Sequence, residues 1–248
     1  MEKKNIESPI KSEKLAIITS SGSLKDFEEH LSVSGSAKIS GGKLNKSIRI
    51  AGSGKINGDL ECNGLTSTGS LKGSGSVTAH GDISSSGIFN IAGFLYGDED
   101  ADFSGSTQIG NIIKIKGSIV ASGKFKGGHF VTGDQGIKFS GSSIINGNLS
   151  SEKTIRIDGS THIEGNVVAE DVLIGVDEHL RRKQHYKIHG SIFAKNNVNI
   201  SRTHVEGDVK GKSVTIGRNT EILGTVYYSD KIEIDKKAKL AVEPLKVD

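Results

Sequence analysis

The chain has 248 residues, a formal net charge of +3, 34% hydrophobic residues, one cysteine and no tryptophan. The small, interspersed charge leaves no basic footprint for nucleic acid, and a lone cysteine excludes an internal disulfide. No apolar run approaches the ~20 residues of a membrane-spanning helix or follows a signal-peptide layout, so the expected compartment is the cytoplasm.

Residues 1–30 lie outside any repeat. Residues 1–14 are charged, contain Pro9 and have little to bury, which predicts a free tail. Leu15, Ile17 and Ile18, a Ser-Gly-Ser turn and residues 24–31 are expected to fold over the first coil as a cap, because the open end of a strand stack exposes unpaired backbone. Contact of residues 15–18 with a membrane is the alternative.

From Leu31 a fixed period begins. Gly35, Gly52, Gly69, Gly87, Gly105, Gly123, Gly141 and Gly159 stand at one phase, 17 or 18 residues apart. Such a period marks a solenoid whose repeats touch mainly their neighbours. Counted from its first apolar residue, each coil opens on an aliphatic side chain: Leu31, Ile48, Leu65, Ile83, Ala101, Ile119, Ile137, Ile155, Val172, Val198, Val214 and Ile232. Position nine reads Ile39, Ile56, Gly73, Ile91, Ile109, Gly127, Ile145, Ile163, Ile188, Val205, Ile222 and Leu240. Position thirteen is apolar from Leu60 to Val226, with Lys43 in the first coil and Pro244 in the last.

Apolar residues at positions one and three, then nine and thirteen, follow the period of two of a strand. Glycine-containing pairs fall between them, suited to corners because glycine reaches positive φ without a Cβ clash. Seventeen or eighteen residues divide into three sides of about six, an ordinary strand length. The predicted fold is all-β: one single-stranded triangular β-helix of about twelve coils over residues 31–243, roughly 55 Å long at the inter-strand spacing. Residues 31–243 contain no proline, leaving the ladders intact, and their scarce aromatics predict a narrow core of stacked Ile, Val and Leu.

The ninth coil carries an insertion, residues 176–187, expected to bulge from a corner. His179, Arg181, Arg182, Lys183, His185 and Tyr186 there are candidates for docking an acidic partner, a phosphate or a lipid head group; a solvated loop on a rigid scaffold is the plainer reading. The spacing of His179 and His185 matches no usual metal pairing. His162 and His204 share a phase with Lys187 between them, about 10 Å apart and too far to share one ion. The run Gly207-Asp-Val-Lys-Gly-Lys-Ser213 is one residue short of a phosphate loop and leads into a strand, so it reads as a corner. Asp98, Glu99, Asp100 and Asp102 form an acidic turn without a calcium signature, and Cys62 is expected to pack as a small apolar residue. No catalytic residue, cofactor or metal site is assigned.

At the two ends the repeat offers Leu31, Val33 and Ile39 on one side and Ile232, Ile234, Leu240 and Val242 on the other, followed by a short tail, residues 244–248. Uncovered solenoid ends present backbone groups and a section of apolar core, so these seven residues are the expected polymerisation interface.

The blocks Ile155-Arg-Ile-Asp-Gly-Ser-Thr-His-Ile-Glu-Gly-Asn-Val167, Val214-Thr-Ile-Gly-Arg-Asn-Thr-Glu-Ile-Leu-Gly-Thr-Val226 and His204-Val-Glu-Gly-Asp-Val209 resemble the repeat of the bactofilins, polymer-forming bacterial cytoskeletal proteins. The likeness is stronger over residues 137–243 than over 31–136, and the run of coils is longer than bactofilin-like cores often have. The resemblance implies a right-handed β-helix that assembles end to end into filaments without nucleotide, as a non-enzymatic scaffold for cell shape, envelope growth or motility. Implied partners are the chain itself, a related bactofilin-like subunit and envelope or membrane-associated proteins, the last placing it at the inner face of the membrane. The competing reading is a left-handed β-helix acyltransferase of the hexapeptide type, which Ile157-Asp-Gly-Ser-Thr-His-Ile163 and Ile216-Gly-Arg-Asn-Thr-Glu-Ile222 each fit. Against it, the hexad is not sustained around each coil and no acyl-acceptor domain follows.

Overall fold

The computed structural model describes residues 17–177 and 185–248. Every regular element among them is a β-strand, most only three or four residues long, and the strands of successive coils pair in parallel into a β-solenoid of about twelve turns. The chain divides into two compact units, Met1–Gly117 and Ser118–Asp248. The sequence reading treats residues 31–243 as one domain and sees its change of character near residue 136.

In the first unit the opening residues pair in one column, Leu31 with Ile48, Ile48 with Leu65, Leu65 with Ile83 and Ile83 with Ala101. In the second unit the column runs Ile119, Ile137, Ile155, Val172, Val198, Val214, Ile232. All of these but Ile232 are buried. The 17–18-residue spacing therefore sets the register, because a one-residue slip would turn every aliphatic side chain of a coil outward.

The glycine phase has a steric cause. A Cβ built on Gly69, Gly87 or Gly105 would fall on the carbonyl of the glycine one coil below, and the same holds for Gly141 over Gly123 and Gly159 over Gly141. At this corner the backbones approach too closely for any side chain. The next corner is closed by a polar column. Asn148 accepts the Asn166 amide on its Oδ1, Asn166 accepts that of Ser191, the Ser191 hydroxyl accepts that of Asp208, and Asp208 accepts that of Thr225, all at 2.8–2.9 Å. Corner amides facing away from the strand ladders thus find acceptors one coil below.

Two features depart from the sequence expectation. Position thirteen of the first coil is Gly42, which pairs with Leu60, while Lys43 pairs with Glu61 and Leu44 with Cys62. Gly41 and Gly42 both take positive φ (83° and 116°), and this tighter corner shifts the count by one. Lys43 is thereby turned outward to Glu61 at 2.7 Å, while Leu44 goes in. The core is also not purely aliphatic. Phe89 and Phe103 are buried with ring centroids 5.6 Å apart, as are Phe125 and Phe139 at 5.0 Å. Small neighbours in the same columns make room for them: Ser85 below Phe103, Thr107 beside Phe89, Ala121 below Phe139 and Ser143 beside Phe125. Volume is conserved across adjacent coils rather than within each one.

A charged column, Lys43–Glu61–His80–Asp98–Lys116, runs across the first unit with contacts of 2.7–3.0 Å. The Glu61 and Asp98 carboxylates raise the His80 pKa, while Lys43 and His80 lower Glu61, and Lys116 and His80 lower Asp98. The histidine's stabilisation is present below its unfolded pKa and lost as pH rises through the raised value; that of the carboxylates is lost as pH falls through their lowered values. Replacing His80 by Gln is therefore expected to lower the denaturant midpoint most near pH ~5.5 and hardly at all near pH ~8.5, with a small effect because the column is solvated. Equal differences at both pH values would show that the imidazolium charge plays no part.

Candidate functional site

The C-terminal coil is open. Strands Lys239–Leu240 and Leu245–Lys246, and residues 231–234 of the strand Val226–Ile234, each have a partner strand on one side only among the described residues. Its apolar residues stay accessible: Ile234 is 45% and Val242 44% exposed, while Ile232 and Leu240 are half-buried. The equivalent residues one coil earlier, Val214, Ile216 and Ile222, are buried. No aromatic plug fills the last coil, and Leu245, at 50% exposure, lies beyond it on the outward phase next to Tyr227.

The N-terminal end is different. Strand β1 (Ile17–Asp26) runs antiparallel along β2 (His30–Ile39), placing Ile17 opposite Ile39, Leu24 opposite Val33 and Asp26 opposite Leu31. Lys46 pins the turn between them through Asp26 (2.7 Å) and the Phe27 carbonyl (2.8 Å). Leu31, Val33 and Ile39 are fully buried. This corrects their place in the expected polymerisation interface: at this end β1 pairs along the strand that carries them, and these three side chains are buried and not on offer. Residues 1–16, with Leu15 of the expected cap, lie outside the described residues.

The insertion is shorter than the sequence suggests. The coil resumes at Tyr186–Ile188, which pairs with Thr161–Ile163. Tyr186 is no docking residue: it is buried in the core column between Thr161 and Thr203, and its hydroxyl donates to the Asp158 carbonyl at 2.9 Å. Burial pushes its phenol up to about 12. Tyr186→Phe is expected to lower stability by about 1 kcal/mol, as a lost buried hydrogen bond does, in chemical denaturation; an unchanged midpoint would remove that bond from the account. Gly175 takes a φ of 66° where the chain leaves the coil, and Arg202 holds the exit by donating from Nη2 to the carbonyls of Gly175 (2.7 Å) and Asp177 (3.3 Å). His185 is exposed; His179, Arg181, Arg182 and Lys183 lie outside the described residues.

The other motifs resolve into structure. In the run Gly207 to Ser213, the amides of Gly207, Asp208, Val209 and Lys212 are all bonded to other coils, so no cradle for phosphate forms. Asp98 of the acidic turn is engaged by His80 and Lys116. Cys62 is fully buried and its thiol is pushed up to about 12 by that burial, so it is neither exposed nor ionised near neutral pH.

One cluster was not anticipated. His162 does stack with Lys187 and then His204, as the phase requires. The contacts, however, also run between positions eight and ten, and between successive residues at position ten. His162 Nε2 lies 2.7 Å from Glu164 Oε1, and the His162 and His189 rings meet edge to face at 5.0 Å. His189 Nδ1 is 2.8 Å from Glu206, which also faces Lys187 at 3.3 Å, and His204 reaches Glu221 at 3.1 Å. The Glu164 carboxyl is held below its ordinary range by His162, and that of Glu206 by His189. The signal was present as His-Ile-Glu-Gly, Lys-Ile-His-Gly and His-Val-Glu-Gly at 162, 187 and 204, where two outward residues flank each inward aliphatic.

Comparison with protein-family models, with curated proteins and with solved structures finds no match for this chain. Among the described residues no helix is long and apolar enough to cross a membrane.

Proposed function

We propose that this chain is a non-enzymatic scaffold that assembles with copies of itself through its ends, without nucleotide, as the bactofilin-like repeat implies. Its place would be the cytoplasm or the inner face of the membrane, serving cell shape, envelope growth or motility, with a related subunit or envelope-associated proteins as further partners.

The open C-terminal coil carries the reading. Among the described residues, every earlier coil of its unit hides its opening aliphatic residue under the next one, whereas no strand pairs above Ile232. A second copy laid on this end would bury Ile232, Ile234, Leu240 and Val242 and pair the free strand edges, the same two contributions that hold one coil to the next. Two such ends meeting about a two-fold axis give a closed pair. A filament needs the N-terminal end as well, where β1 pairs along β2; growth there proceeds over β1 or after its release.

Sedimentation velocity and negative-stain electron microscopy of the purified chain, with and without residues 1–30, test the proposal. Dimers of the full chain and longer particles after removal of β1 are expected. A monomer in both forms at every concentration overturns it.

A further inference from the structure

We propose that His162, Glu164 and His189 form a binding site for a first-row divalent transition cation, with Zn²⁺ the best match. One donor atom from each of the three residues lies within 4.8 Å of the other two. They sit on adjacent coils on an outward face: His162 and Glu164 flank Ile163, and His189 follows Ile188, the residue paired with Ile163. Both isoleucines are buried, so the backbones that carry the three donors are fixed by core packing and by the parallel ladder. Closing the donors onto metal–ligand bonds of about 2.0–2.2 Å asks only for side-chain rotation, with water completing the shell.

The donor chemistry selects the ion. Two imidazoles and a carboxylate suit Zn²⁺ and its neighbours, whereas Ca²⁺ and Mg²⁺ demand oxygen throughout. A further residue acts in support. Glu206 engages His189 Nδ1 at 2.8 Å, which places the proton on that nitrogen and leaves the lone pair on Nε2 free for a metal. A carboxylate behind a histidine is the usual means of orienting a ligating ring. An ordinary ion pair between His162 and Glu164 would not need a second imidazole standing edge-on to the first, nor a second glutamate fixing its tautomer.

The test is a titration of the full chain, without a histidine tag, with ZnCl₂ by calorimetry and with Co²⁺ by visible absorption. About one equivalent is expected to bind, with the d–d bands of a low-coordinate Co²⁺ site, and excess Mg²⁺ should not compete. His162→Ala, His189→Ala and Glu164→Gln should each weaken binding at least tenfold, Glu206→Gln less so, while His80→Gln in the other unit should leave it unchanged. All five positions are on the surface, and circular dichroism of each variant checks that the fold is kept. Absence of binding overturns the assignment. So does Zn²⁺ uptake insensitive to His162→Ala and His189→Ala, which would place the ion on other histidines.

Discussion

Replacing Gly159 by alanine is expected to unfold the second unit or lower its stability by more than about 4 kcal/mol. The added Cβ would collide with the Gly141 carbonyl one coil below and crowd that of Ser140. Both obstacles are backbone held in place by the strand ladder, so relief requires the coils to part and their inter-coil hydrogen bonds to stretch. Gly64→Ala is the milder comparison: its nearest neighbour is the Ser47 hydroxyl at 3.1 Å, the end of a rotatable side chain, with the Asp82 carbonyl at 3.3 Å having to give by only a few tenths of an ångström, and a loss of about 1 kcal/mol or less is expected. Denaturant midpoints followed by far-ultraviolet circular dichroism separate the two. Similar losses for both variants would mean that close backbone approach does not govern the glycine phase.

The second large effect concerns assembly. Leu240→Arg, on the open coil, is expected to weaken self-association at least ~100-fold, because a guanidinium facing a second copy would be buried without a partner while the apolar contact is lost. The folded chain should tolerate it, since Leu240 is half-buried with solvent on its far side. Leu223→Arg is the control for hydrophobicity alone: Leu223 is 46% exposed on the outward phase of the preceding coil, beside buried Ile222. It should assemble like the unaltered chain. If Leu223→Arg abolishes association and Leu240→Arg does not, subunits meet side by side and the end-on proposal fails.

The coil columns were legible in the sequence because a parallel stack repeats one environment at one spacing. Ile48, Ile137 and Val214 read alike since each meets the same neighbours above and below. What the period could not reveal arises where environments differ. The Gly41–Gly42 corner takes one residue fewer than its counterpart between Ile56 and Leu60, so equal counting sets Lys43 on the inward phase. Phe103 over Ser85 is a compensation between coils, invisible to a rule that scores one position at a time. Tyr186 looked like part of a polar loop because the residues before it are polar, although the pattern resumes with it. Strand β1 lies outside the repeat and runs against it, so no periodicity could place it beside Leu31, Val33 and Ile39. The His162–His189 pair is not legible from residues of equal phase, because outward side chains two positions apart on neighbouring strands also meet.

The polar column at the corners has a consequence for ancestry. Since Asn148, Asn166, Ser191 and Asp208 each satisfy the amide of the coil above, the coils from Asn148 to Asp208 bring both halves of their own joints. A genetic duplication or loss of one whole coil along this column would leave every surviving joint complete, while the gain of a single residue within a side would misalign all that follow. Along this column whole coils can be gained or lost without breaking a corner joint, a tolerance that Phe103 packed over Ser85 does not share.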